Sequence, residues 1–136
     1  MILNTIDGKL QINIIRRSNP AADNHWDSNW LDAEVEIISK GFSARYFTYF
    51  RTEDFQSFHD NLQAFLANKV KDFMFATIEE GLALNYKIDS LGKISCKGQT
   101  KDEYGNVLFF IHHIEYQALT SFFNQLKKIV SVYPSN

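Results

Sequence analysis

Asn24–Leu66, NHWDSNWLDAEVEIISKGFSARYFTYFRTEDFQSFHDNLQAFL, decides the fold, because three kinds of local order follow one another within it. A polar loop carrying Trp26 and Trp30 gives way to strict alternation. Leu31, Ala33, Val35 and Ile37 alternate with Asp32, Glu34 and Glu36, which predicts a strand with one face in the core. Lys40-Gly41 then interrupts, and Phe42–Arg51 reads as the returning strand. With that turn, Glu36 faces Arg45, Glu34 faces Phe47, and Val35 faces Tyr46 on the opposite side. Thr52 is placed as a helix N-cap, with Glu53 and Asp54 in the first turn where the helix dipole favours anions. Phe55, Phe58, Leu62, Phe65 and Leu66 fall on one helical stripe, which must cover the sheet.

Toward the N-terminus, Ile2–Ile6 and Leu10–Ile15 read as two short strands joined at Asp7-Gly8. Between Arg16 and Asn29 the periodicity fails, and Ser, Asn, Asp and Pro predict a long loop. Beyond the helix, four strands are expected at Phe73–Ile78, Leu82–Ile88, Lys93–Gly98 and Val107–Ile114, separated by Glu80-Gly81, Asp89–Gly92 and Asp102–Asn106. Gln117–Tyr133 closes the chain as a helix with Leu119, Phe122, Leu126 and Ile129 on one face. Short connections imply antiparallel meanders. The predicted fold is α+β, a single domain over residues 1–136. It is a curved antiparallel sheet of seven or eight strands packed with two helices, in the order β-β-β-β-α-β-β-β-β-α.

Composition fits a core-rich domain: 45% of residues are hydrophobic, and the chain holds twelve Phe, six Tyr and two Trp. The formal charge of −2 offers no basic stripe, so direct nucleic-acid binding is not expected. The opening MILNTIDGKLQINI lacks the charged, apolar and small-residue regions of a secretory signal, and no run approaches the roughly 20 apolar residues of a membrane span. One cysteine, Cys96, permits no internal disulfide. A cytoplasmic protein is therefore expected.

Motifs for catalysis are sparse. His25, His59, His112 and His113 have no partner at metal-ligand spacing, and adjacent strand residues His112 and His113 point to opposite faces. No phosphate-binding glycine loop or nucleophile elbow occurs. No catalytic, metal or cofactor residue is assigned. Asp23, Asp27, Asp32, Glu34 and Glu36 do crowd into a segment without Lys or Arg. Such acids can work as an acid–base pair. On alternate strand positions, however, they more commonly form a solvated row. Beside Trp26, that row also suits docking of a basic partner, since charge raises on-rates and aromatic rings anchor. The partner-binding candidates are Trp26, Asp27, Asp32, Glu34 and Glu36.

Trp26-Asp27-Ser28-Asn29-Trp30-Leu31, the acidic strand, Gly41-Phe42-Ser43 and the helix start Arg51-Thr52-Glu53-Asp54-Phe55 together resemble the WapI-type family of small bacterial immunity proteins. The likeness continues through Leu82, Leu84, Gly92, Gly98 and Asn106-Val107-Leu108-Phe109-Phe110, spanning about Leu10 to Ile129. Family members tend to open the last helix with Asp-Gln, where this chain has Glu115-Tyr116. The resemblance implies a cytoplasmic antidote that binds and neutralises the C-terminal toxin domain of a polymorphic toxin, a tRNA-cleaving nuclease in the case that gives the family its name, with no catalytic residues of its own. The expected partner is that protein, with the chain a monomer or weak homodimer. Two other readings stay open at this point. One is a small-ligand binder or enzyme with a cavity between sheet and helices, Asp27 and His25 at its mouth. The other is a homodimeric module using a sheet edge or Phe47 and Tyr49.

Overall fold

A computed structural model describes all residues from Met1 to Asn136. The first unit holds β1 (Ile2–Asn4), β2 (Gly8–Arg17), the short helix α1 (His25–Ser28), β3 (Trp30–Ser39), β4 (Phe42–Arg51) and α2 (Thr52–Leu66). The second holds β5 (Asp72–Ala76), β6 (Leu82–Ile88), β7 (Ile94–Lys101), β8 (Val107–Ile114) and α3 (Tyr116–Val132). The class is α+β, as the alternation predicts, and the order of strands and long helices agrees. The expected single sheet is instead two four-stranded antiparallel meanders, β1-β2-β3-β4 and β5-β6-β7-β8. Helix α2 leaves the end of β4 directly and carries the chain away before β5 begins, so β4 and β5 never become neighbours.

Register at the Lys40-Gly41 turn matches the sequence reading: Glu36 opposes Arg45, Glu34 opposes Phe47, and Val35 opposes Tyr46. Lys40 takes a positive φ of 54°, which such a tight turn requires. The first turn differs slightly from expectation. Thr5 and Gly8 exchange backbone hydrogen bonds, so Ile6-Asp7 forms its tip. Strand β2 continues past a bulge between Ile14 and Arg16 to reach Arg17, taking residues from the expected loop. At α2 the N-cap is Arg51 rather than Thr52, and the Asp54 carboxylate accepts from the Arg51 N–H at 2.7 Å.

The two units echo each other in register. Leu31–Phe50, Ala33–Thr48 and Val35–Tyr46 in the first pair as Ile94–Ile114, Cys96–His112 and Gly98–Phe110 do in the second. The buried helix residues keep the same spacing, Phe55, Phe58 and Leu62 against Leu119, Phe122 and Leu126. At Gly98 a Cβ would collide with the Phe110 ring, which fills the space a side chain would take.

Neither sheet can stay soluble with its inner face bare, and the helices cover both. Phe58 on α2 is the centre of the packing. Its ring stacks on Phe75 at 4.5 Å and lies 5.6 Å from Phe122 on α3, 6.0 Å from Tyr86 and 6.1 Å from Phe73. Phe50, at the end of β4, continues the cluster to Phe55 at 5.0 Å and Phe75 at 6.3 Å. All these rings are buried, so the space between sheets and helices is filled.

Polar contacts tie the units together at their edges. Tyr46 Oη donates to Gly81 O, and His112 Nε2 donates to Ile38 O at 2.8 Å. The Asp7 carboxylate accepts from the His113 backbone N–H, and Ser39 Oγ donates to Ile111 O at 3.0 Å. Burial opposes ionisation of Asp7, but hydrogen bonds from His113 and the charges of His113 and Lys40 prevail and lower its pKa. On the far edge, the Gln125 amide of α3 accepts from Ile2 N–H at 2.7 Å and donates to Ile2 O at 3.0 Å, capping β1 as another strand would.

Two outcomes follow from this packing. Phe58→Ala should cost about 3–5 kcal/mol in urea unfolding, because the ring touches both helices and the second sheet. His112 is buried and held neutral, its pKa lowered first by desolvation. The unfolded chain therefore takes up a proton that the folded chain refuses. Stability should fall as pH drops below the free imidazole value of about 6.5, and His112→Gln should flatten that slope in unfolding measured across pH.

Candidate functional site

The outer face of β3 carries Asp32, Glu34 and Glu36 in one row, placed there by the two-residue period of the strand. Neighbouring strands set their surroundings. From β2, Arg16 opposes Asp32, while Asn13 and Gln11 oppose Glu34 and Glu36. From β4, Tyr49, Phe47 and Arg45 stand opposite the same three acids in order.

Each acid meets a base that lies outside its own stretch of sequence. Glu36 holds Lys9 at 2.7 Å and Arg45 at 2.8 Å, and hydrogen bonds from these two cations lower its pKa. Asp32 pairs with Arg16 at 3.0 Å and accepts from Ser18 Oγ. Glu34 is the freest, with Arg45 at 3.8 Å and its side chain 37% exposed. The row that reads as a run of acids is thus largely balanced in space. Its surplus comes from the second unit, whose turns bring Glu79, Asp102 and Glu103 around Tyr49 and Phe47. Two shallow grooves result. One of about 410 Å³ lies among Arg16, Trp30, Asp32, Tyr49 and Glu79, and one of about 300 Å³ runs past Phe47 to Glu103. Nothing local in the sequence marks Glu79, Asp102 or Glu103 as part of this face.

Trp26 and Asp27 sit at the end of the row rather than in it. Asn24 caps α1, accepting from Asp27 N–H at 2.8 Å and donating to the Asp27 carboxylate at 2.9 Å. Trp26 is 52% exposed, and the Arg51 guanidinium lies 3.7 Å from its ring centre. Trp30 is half-buried, edge-on to Trp26 at 5.8 Å, and 5.1 Å from the same guanidinium. Arg51 itself is 4% exposed. It donates to Trp26 O at 2.7 Å and pairs with Glu53 at 3.2 Å, so its charge is answered on several sides. The C-terminal tail fastens this corner: Asn136 N–H donates to Asn29 Oδ1 at 2.9 Å, and Arg17 donates to Pro134 O at 2.7 Å. Trp30 links the two groups, lining the groove with Asp32 while touching Trp26.

His25, His59 and His113 each face a carboxylate, from Glu53, Asp60 and Asp7 respectively. No group of three His, Cys, Asp or Glu residues could hold a metal ion. Cys96 is buried, and desolvation pushes its thiol up to about 12. No helix is long and apolar enough to cross a membrane. The outer face thus sets exposed aromatic rings, Trp26, Phe47 and Tyr49, among charged groups.

Arg51→Lys keeps the charge but loses the flat stacking on Trp26. Thermal unfolding should report a loss of about 1–2 kcal/mol, with Trp26 fluorescence shifted toward that of a freely solvated indole.

No curated protein matches the chain. Among solved structures it is similar to one described as "Crystal structures of trypanosoma bruciei MRP1/MRP2", with a TM-score of 0.52 and 6% sequence identity, covering 97% of this chain and 82% of that one. That likeness concerns the fold alone. The model of the immunity protein WapI-like family matches residues 1–134, so the chain belongs to that family.

Proposed function

We propose that the chain is a cytoplasmic immunity protein, which binds the C-terminal toxin domain of a polymorphic bacterial toxin and neutralises it stoichiometrically, without catalysis. The family match across residues 1–134 carries this reading. The outer face of β3 supports it by offering what a blocking surface needs. Trp26, Phe47 and Tyr49 are half exposed and can anchor a partner, while Asp32, Glu34 and Glu36 supply direction. Asp27 stands at the loop end of the same surface, outside the ion pairs of the row.

A basic nuclease is the toxin class this face fits best. Acids would steer such a partner in, and the rings would hold it once water is displaced. The exchangeable pairs also suit the role. Lys9, Arg16 and Arg45 can be traded for cations of the partner, which makes the row less costly to desolvate than bare carboxylates.

Coexpression with the toxin domain encoded immediately upstream should give a one-to-one complex that protects the host. Glu34→Lys tests the face with little structural cost, because that side chain is the least committed of the three. Titration calorimetry should show affinity reduced about tenfold or more, mostly through slower association at low salt. Unchanged affinity and protection would place the contact elsewhere.

A further inference from the structure

The two units leave related concavities on the outside of the molecule, and they differ in chemistry. Beside β4, Phe47 and Tyr49 stand among Asp32, Glu79, Asp102 and Glu103, opposed by Arg16 and Lys101. Beside β8, which takes the place of β4 in the second unit, a groove of about 680 Å³ is lined by Phe42, Phe109, Ile111, Lys40, Lys97 and His113. Phe42 is 70% exposed and Phe109 74%, adjoining apolar side chains of a kind that soluble monomers seldom leave together in water. The one acid in this groove, Asp7, is already held by His113 and Lys40. Lys97 pairs with no carboxylate.

The geometry points to a second copy of this chain as the occupant of the β8 groove. It docks through its β4 groove in a head-to-tail contact. Two β8 grooves would bring together cations with no free acid to meet them, and two β4 grooves would set Asp32, Glu79, Asp102 and Glu103 on each side against only Arg16 and Lys101. The unlike pairing offers Lys97, which no carboxylate holds, to the surplus carboxylates of the β4 groove while burying Phe42 and Phe109 against Phe47 and Tyr49. The contact is heterologous, so a pair leaves one groove of each kind open, the β4 groove on one copy and the β8 groove on the other, and association continues beyond a pair unless a ring closes. The β4 groove is also the face proposed for the toxin, so a second copy and a toxin compete for it, but self-association does not rest on the toxin reading and is measured on the chain alone.

Sedimentation of the full chain from about 10 to about 500 µM tests it, at about 50 mM and about 500 mM NaCl. The mean mass should rise with concentration at low salt and return to that of the monomer at high salt. Lys97→Glu with Phe109→Asp spoils one groove, and Glu79→Lys with Glu103→Lys spoils the other; all four residues are exposed, and thermal unfolding checks each fold. Each variant alone should stay monomeric. Their mixture should assemble to twice the monomer mass and stop there, because only one good contact is left per pair. A wild-type chain that is monomeric throughout overturns the proposal, as do variants that associate like the wild type or a mixture that stays monomeric.

Discussion

Everything in this molecule hangs on the burial of Phe58. A four-stranded meander has one apolar face and, standing alone, is exposed to water on it. The chain contains two such sheets; helix α2 reaches both, and α3 packs back on β1 of the first. Through Phe58, α2 meets Phe73, Phe75 and Tyr86 of the second sheet and Phe122 of α3, while Phe55 on the same helix meets Phe50 of the first. Aromatic rings suit this task because each covers a large area with few rotatable bonds. The outer faces, relieved of any packing duty, are then free to carry charge and exposed rings.

That division explains which features the sequence made legible. The β3–β4 hairpin was readable residue by residue, because alternation and the Lys40-Gly41 turn specify register locally. The amphipathic helices were readable for the same reason. The split into two sheets was not. Whether β4 pairs with β5 depends on where α2 carries the chain, a matter of packing between Phe58 and residues far along the sequence. Helix α1 was hidden by its brevity, since a single turn held by Asn24 has no periodicity to detect.

The candidate face shows a subtler gap between sequence and space. Asp32, Glu34 and Glu36 form a row, as their spacing requires. Their acidity is tempered by Lys9, Arg16 and Arg45, which arrive from flanking strands and cannot be paired with them from the local run alone. The converse holds for Glu79 and Glu103, which look like ordinary turn residues yet border Tyr49. Charge on a sheet is a property of neighbours across strands, so a one-dimensional run overstates it here and understates it there.

Membership of the WapI-like family implies a protein partner. The most direct measurement is carbodiimide labelling of carboxylates, read by mass spectrometry on the free chain and on its complex with the toxin domain proposed as its partner. The account predicts that labelling of Glu34, Glu79 and Glu103 falls sharply in the complex while Asp60 and Asp89 label as before. Loss of labelling at Asp60 with Glu34, Glu79 and Glu103 unchanged would contradict it.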